Sequence, residues 1–233
     1  TMHDGGYQFD VMTKEWMMDK VTLNMGGMHN VENAVAAVMI AHHLKIDLKK
    51  TREAVQDFKG VKRRFEYIIA PVQMNDVRSD KGFYESKKAR QPVIFIDDYA
   101  HHPQELDALI KSAKSLFNNR KCTIIFQPHL FSRTKDLAGD FAESLDMADE
   151  VLLLPIYPAR ELPIAGVTSQ LILDKMENKN ASVVTKEELL KYLQTGYLDS
   201  IKNSTHGQLL ATAGAGDIDQ LVEPIKNILT NVQ

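Results

Sequence analysis

From Arg64 onward the chain alternates short apolar runs with amphipathic stretches, and this alternation restricts the fold more than any other feature. The apolar runs lie at residues 65–70, 93–96, 123–126, 151–154, 182–185 and 208–213. Helical patterns lie near 104–117, 135–147, 168–175, 186–201 and 218–229. Strands that alternate with helices predict a mostly parallel sheet covered on both faces, a Rossmann-like α/β domain of about six strands. No helical pattern separates the first run from the second, so the first strand is the one free to run antiparallel. The stretch between them, residues 71–92, is polar and basic, with Lys81, Lys87, Lys88 and Arg90. It reads as an exposed loop or hairpin insertion.

The first part of the chain is different. Strand-like runs at 7–12 and 21–24 are broken by Gly26-Gly27. A helix follows, with Val31, Val35, Val38 and Ala41 three or four residues apart, then a second over 48–58 that ends at Gly60. About sixty residues bury too little core to be robust alone, so residues 1–62 read as the tail of a larger α/β unit and 63–233 as a following domain. The opening residues lack the basic region and apolar core of a signal peptide and enter a strand almost at once, as expected of a piece of a longer chain. No run approaches the roughly 20 apolar residues that span a bilayer. A net charge of −3 gives no footprint for nucleic acid or a membrane surface. The single cysteine, Cys122, excludes an internal disulfide and points to a reducing, cytoplasmic setting.

In open α/β sheets, ligands bind outside the carboxyl ends of the strands. Four turns at that edge carry chemistry. Asp97-Asp98-Tyr99-Ala100-His101-His102-Pro103 crowds two carboxylates, a phenol and two imidazoles between a strand and a helix. Gln127-Pro128-His129 follows the next strand, with Ser132 and Arg133 close behind. Then come Tyr157-Pro158-Ala159-Arg160-Glu161 and Gly214-Ala215-Gly216-Asp217. One polar turn is ordinary for a loop; four rich in His and Arg favour a site. Asp98 can equally cap its turn, and Pro103 and Glu105 suit a helix start. The spacing of Asp97, Asp98, His101 and His102 fits no familiar zinc pattern, so no protein-only metal cage is expected.

Two further segments stand out. In Gly26-Gly27-Met28-His29-Asn30-Val31-Glu32-Asn33, Asn30 suits a helix cap, and Asn33 lies near the same face one turn on. Paired carboxamides can donate to and accept from an adenine edge. Lys62-Arg63-Arg64-Phe65-Glu66 places two arginines at the expected domain junction, either for an anion or as a solvated charge run. The Gly214-Ala215-Gly216 turn reads first as a tight packing turn. His42-His43, at a helix end, is assigned no role.

With these residues in view, the chain resembles the Mur ligase family. The resemblance rests on Gly27-Met28-His29-Asn30-Val31-Glu32-Asn33-Ala34, Arg63-Arg64-Phe65-Glu66, Asp97 through Pro103, Phe126-Gln127-Pro128-His129 with Arg133-Thr134, Ile156-Tyr157-Pro158-Ala159, and Ala213-Gly214-Ala215-Gly216-Asp217-Ile218. The segments span nearly the whole chain and together are specific. They are most similar to the members that join L-alanine to UDP-N-acetylmuramate in peptidoglycan synthesis. The resemblance implies ATP-dependent amide formation with Mg2+, through an acyl phosphate, in an enzyme with N-terminal and central domains ahead of most of these residues. It implies that His29, Asn30, Asn33, Arg64 and Asp98 hold ATP. It implies that Tyr99, His101, His129 and Arg133 bind the amino acid, with His101, His129 and Arg133 also catalytic. Leu130-Phe131 stands where many members have Arg then Tyr, so Arg133 is expected to carry more of the positive charge. No GxxxxGK[ST] phosphate loop occurs in these residues, which alone are expected not to turn over. Three other readings stand beside this one: the related ligase that recycles murein peptide, a non-catalytic nucleotide- or amino-acid-binding module, and a metal-dependent hydrolase using Asp98, His101 and His129.

Overall fold

The computed structural model describes residues 2–3, 5–71 and 93–230. The chain forms two sheets. The first is antiparallel and three-stranded: β1 (Met2–His3), β2 (Gly6–Met12) and β3 (Met17–Leu23), in that order. Two helices follow, α1 (Met28–His43) and α2 (Leu48–Asp57). Val11, Met18, Val21 and Val38 form their small shared core. Gly27, at φ 87°, rather than Asn30, caps α1. Asn30 lies in the first turn, where its carboxamide donates back to the Gly26 carbonyl at 2.7 Å.

The second sheet is six-stranded: β4 (Glu66–Ile69), β5 (Val93–Asp98), β6 (Lys121–Phe126), β7 (Glu150–Leu153), β8 (Ala181–Val183) and β9 (Gln208–Ala213). Its order is β4-β5-β9-β6-β7-β8, with β4 antiparallel to β5 and every other pairing parallel. The parallel sheet and the antiparallel first strand therefore agree with the alternation in the sequence. The expected insertion lies, from residue 72 on, outside the described residues.

Burial on both faces explains the uniformly apolar strands. Ile94, Ile96, Ile124, Phe126, Val151, Leu153, Leu209 and Ala211 face one side. There they pack on α3 (Pro103–Leu116), α4 (Phe131–Leu145) and α5 (Gln170–Leu173). Val93, Phe95, Ile125, Leu152 and Leu210 face the other. They meet α6 (Lys186–Tyr192), a wide π turn (Leu193–Tyr197), and α8 (Val222–Thr230). A further helix, α7 (Leu198–Asn203), precedes β9.

The sequence predicts one helix over 186–201, but the structure interrupts it. Leu189, Leu193, Tyr197 and Ile201 are all buried, yet they recur every four residues. That period exceeds the 3.6 of an α-helix, and the π turn realigns the stripe on the sheet.

β5 to β8 step outward across the sheet, and the chain then returns to insert β9 between β5 and β6. The pairings Asp98↔Ala213 and Phe126↔Ala213 set the carboxyl ends of these three strands level. This point of reversal is where an open α/β sheet leaves a crevice.

The two sheets meet through close backbone approach. A Cβ on Gly26 would lie 2.0 Å from the Phe65 ring, which is itself buried at 1% exposure. The Tyr67 hydroxyl donates to the Gly5 carbonyl at 2.6 Å. Gly26→Ala is expected to cost about 1–3 kcal/mol through this overpacking, seen as a lower urea midpoint at unchanged slope.

Candidate functional site

Asp97 and Asp98 are the last two residues of β5, not part of the turn beyond it, because pairing with β9 continues through both. Each is buried and each has defined partners. Asp97 accepts from the Thr212 hydroxyl at 2.6 Å and from Arg63 Nε at 3.0 Å. Burial pushes its carboxyl above the usual range, against the pull of Thr212 and Arg63. Asp98 accepts from the amides of Phe65 at 2.7 Å and Ala100 at 2.8 Å. Burial also raises its pKa, against those two amides and the charges of Arg64 and His29. Asp98 thus does cap its own turn.

Arg63 is the residue the sequence reading undervalued. Besides Asp97, it donates to the Gly214 carbonyl at 2.6 Å, and its own carbonyl accepts from the Tyr99 amide at 2.8 Å. The Arg63 and Arg64 guanidinium carbons lie 5.2 and 5.6 Å from the Tyr99 ring centroid, close enough for cation–π attraction. One arginine of the pair is therefore structural glue. The only hint in the sequence was that a buried Asp97 needs a partner.

Beyond Tyr99 the turns converge as expected. The rings of Tyr99 and His101 lie 5.1 Å apart, those of His101 and His129 5.9 Å, and His129 stacks on Tyr157 at 5.9 Å. Arg133, in the first turn of α4, donates to the His101 carbonyl at 3.4 Å. Parallel pairing of His129 with Tyr157 carries the third turn alongside. The helix starts four residues earlier than its pattern predicts, which is what places Ser132 and Arg133 at the site.

Two carboxylates frame this cluster. Glu161 accepts from the Ser132 amide at 2.9 Å and from the Ser132 hydroxyl, bonds that hold its carboxyl below the usual range. Glu105 accepts from the His101 amide at 2.9 Å and the His102 amide at 3.2 Å. Neither was singled out for the site; Glu105 was read only as a favourable charge for a helix start. Leu130, at φ 71°, and Ala159, at φ 50°, hold left-handed backbone on the two turns bound together here, a conformation that costs a non-glycine residue energy. The Gly214-Ala215-Gly216 turn is a packing turn. Cβ atoms at Gly214 and Gly216 would lie 2.8 Å from the Gln127 carbonyl and 2.5 Å from its side chain.

His29, Arg64 and Asp98 meet around a cavity of about 240 Å³ shared with Gln104, Glu105, Ala108 and Leu109, joined to Tyr99 through the Arg64 guanidinium. Asn30 and Asn33 do not join them. They line a mostly apolar groove of about 580 Å³ between α1 and α2. The nine residues predicted for a site therefore fall into three places: a cluster of Tyr99, His101, His129 and Arg133, an adjoining cavity, and a separate groove.

With this geometry in place, the relatives can be compared. The family model described as "Mur ligase, glutamate ligase domain" matches residues 84–216. The chain belongs to the Mur ligase family. It is 41% identical over 225 residues to a UDP-N-acetylmuramate–L-alanine ligase of Cytophaga hutchinsonii, covering 97% of this chain and 42% of that protein. Its identity to the ligase of the same name from Porphyromonas gingivalis is 42% over 229 residues, covering 98% of this chain and 44% of that protein. The crystal structure of UDP-N-acetylmuramate–alanine ligase from Thermotoga maritima matches all of this chain and 45% of its own, with a TM-score of 0.70 and 26% identity. A murein peptide ligase from Psychrobacter arcticus, at TM-score 0.55 and 23% identity, shares the fold. The chain thus spans less than half the length of these Mur ligases.

Two outcomes follow from the buried groups. Arg63→Met leaves Asp97 buried and unpaired, and is expected to cost about 3–5 kcal/mol of stability, read from urea denaturation. Burial first, then Arg133 and His101, lower the pKa of His129 from its ordinary 6.5. The unfolded chain therefore binds this proton first, and stability declines as pH falls through 6.5 toward the folded value. His129→Gln is expected to flatten that decline in a series of denaturation midpoints.

Proposed function

We propose that these residues form the later part of an ATP-dependent ligase that joins L-alanine to UDP-N-acetylmuramate in peptidoglycan synthesis. Residues 1–62 end its central ATP-binding domain and 63–233 form its C-terminal domain, in a cytoplasmic enzyme. The single observation that carries this reading is that Tyr99 touches both places: its ring lies 5.1 Å from that of His101 in the cluster and 5.6 Å from the Arg64 guanidinium, which lines the cavity with His29 and Asp98. The ligase names of relatives at about 40% identity support it.

In this reading Arg133 pairs with the alanine carboxylate, since a guanidinium matches a carboxylate with two parallel bonds. Tyr99 and His129 wall the amino acid. Arg64 and His29 face the nucleotide at the cavity, and Asp98 borders it. Asn30 and Asn33 reach adenine only if it enters from the α1–α2 groove. The activated group is an acyl phosphate formed from the muramate carboxylate and ATP, which the alanine amine attacks. Magnesium belongs to this chemistry, held by nucleotide phosphates with one or two carboxylates that lie mostly outside these residues. Among the described residues no three His, Cys, Asp or Glu groups are arranged to hold a metal, and both Asp98 oxygens already accept from backbone amides. The hydrolase reading, which needed Asp98, His101 and His129 as a metal set, loses support for the same reason. Among the described residues, no helix is long and apolar enough to cross a membrane.

The full-length ligase carrying these residues should release phosphate from ATP with magnesium and UDP-N-acetylmuramate only when L-alanine is added, with a new amide product. Release with a murein tripeptide instead would mark the recycling ligase, and no release with either would favour the binding module. Arg133→Ala should raise KM for L-alanine by about 10- to 100-fold, the loss of one charged hydrogen-bonding partner at roughly 1.5–3 kcal/mol. The present residues alone, without a phosphate loop, should show no turnover.

A further inference from the structure

The cluster holds two imidazoles, and an amine that arrives as ammonium must lose a proton before it can attack. The geometry distinguishes the two rings. His101 Nδ1 lies 2.9 Å from the Tyr99 carbonyl oxygen. A carbonyl only accepts, so Nδ1 carries the hydrogen and the lone pair of the neutral ring is on Nε2. Glu105 places a carboxylate oxygen 3.3 Å from the same Nδ1, a second acceptor that helps to orient the ring. The Glu105 carboxylate is itself held in place by the amides of His101 and His102. His101 is therefore oriented and fixed in one tautomer, the arrangement that makes an imidazole a proton acceptor at its far nitrogen.

His129 has the opposite surroundings. Its Nδ1 is buried with no hydrogen-bond partner. Burial and the Arg133 charge both oppose a proton on this ring. Its contacts are with rings, Tyr157 on one face and the edge of His101 at 75°.

We propose that His101, through Nε2, takes the proton from the amino-acid ammonium, and that His129 stays neutral as a wall of the same pocket. This assignment rests on the ligase reading above. One ammonium N–H bond breaks and its proton passes to Nε2. The freed lone pair forms the new C–N bond at the acyl carbon. The carbon–oxygen bond to phosphate then breaks, phosphate departs with that electron pair, and the second ammonium proton leaves with it. Arg133 contributes to the alignment, since it donates to the His101 backbone carbonyl. The group that would hold the amino-acid carboxylate is thereby tied to the residue that would relieve the amine of its proton.

The test uses the full-length ligase with ATP, magnesium and UDP-N-acetylmuramate, and compares two nucleophiles. L-alanine is charged at neutral pH and needs a base. Hydroxylamine is largely uncharged there and traps the same acyl phosphate as a hydroxamate. At saturating L-alanine the ratio of amide to hydroxamate formed should fall about 100-fold or more in His101→Gln, the usual worth of a general base, whereas His129→Gln, a change in the pocket wall, should act on KM for L-alanine and not on this saturated ratio. Equal losses of both products in His101→Gln would reduce that residue to a structural role and overturn the assignment. A selective loss in His129→Gln would reverse it. Wild-type enzyme that forms neither product would overturn the ligase reading, and this assignment with it. Independently of activity, 15N spectra of the histidine-labelled protein should show neutral His101 as the Nδ1–H tautomer. An Nε2–H tautomer would sink the proposal.

Discussion

A buried ion pair holds the working edge of this molecule together. Arg63 enters from the segment between α2 and β4, and Asp97 sits near the carboxyl end of β5. Thr212 on β9 shares the carboxylate, and the Gly214 carbonyl shares the guanidinium. Three pieces of chain, distant in sequence, are thus fixed to one another. A buried pair of this kind gains little over an apolar substitute, yet breaking it by removing one partner is costly. Its value here is registration: it sets where Tyr99 begins its turn and where the glycine turn after β9 lies.

The rest of the edge inherits that registration. Tyr99 lies beneath both arginines, and its carbonyl accepts from His101 Nδ1. His101 in turn receives Arg133 on its backbone carbonyl. Glu105 touches both sides, binding the His101 and His102 amides while lining the cavity with His29, Arg64 and Asp98. In the proposed ligase this continuity matters because phosphoryl transfer to a carboxylate oxygen and amine attack on the adjoining carbon must occur at the same carboxyl group. A shift of either half would move the other, so positional precision comes from shared partners rather than from rigid individual loops.

The departure at Leu130 takes on a different meaning in three dimensions. The resemblance set Leu130 where many members have Arg, and the backbone there is left-handed. Its amide nevertheless donates to the Tyr157 carbonyl, and its carbonyl accepts from the Thr134 amide and hydroxyl. The turn is therefore held by its backbone and not by the Leu130 side chain.

The sequence by itself determined the α/β alternation, the antiparallel first strand, and the four polar turns on one edge, because strand burial and turn polarity are local properties of residue type. It also carried the family, through motifs whose residues stand in order along the chain. It did not separate the glue from the chemistry. Arg63 and Arg64 are adjacent and alike, yet one is bonded to Asp97 and the other opens onto a cavity. His29 and Asn30 are neighbours that line different spaces. Asp97 and Asp98 read as turn residues, yet both continue the sheet because β9 pairs with them. Only the tertiary structure decided these, since which partner a buried polar group finds depends on strands brought alongside from more than a hundred residues away.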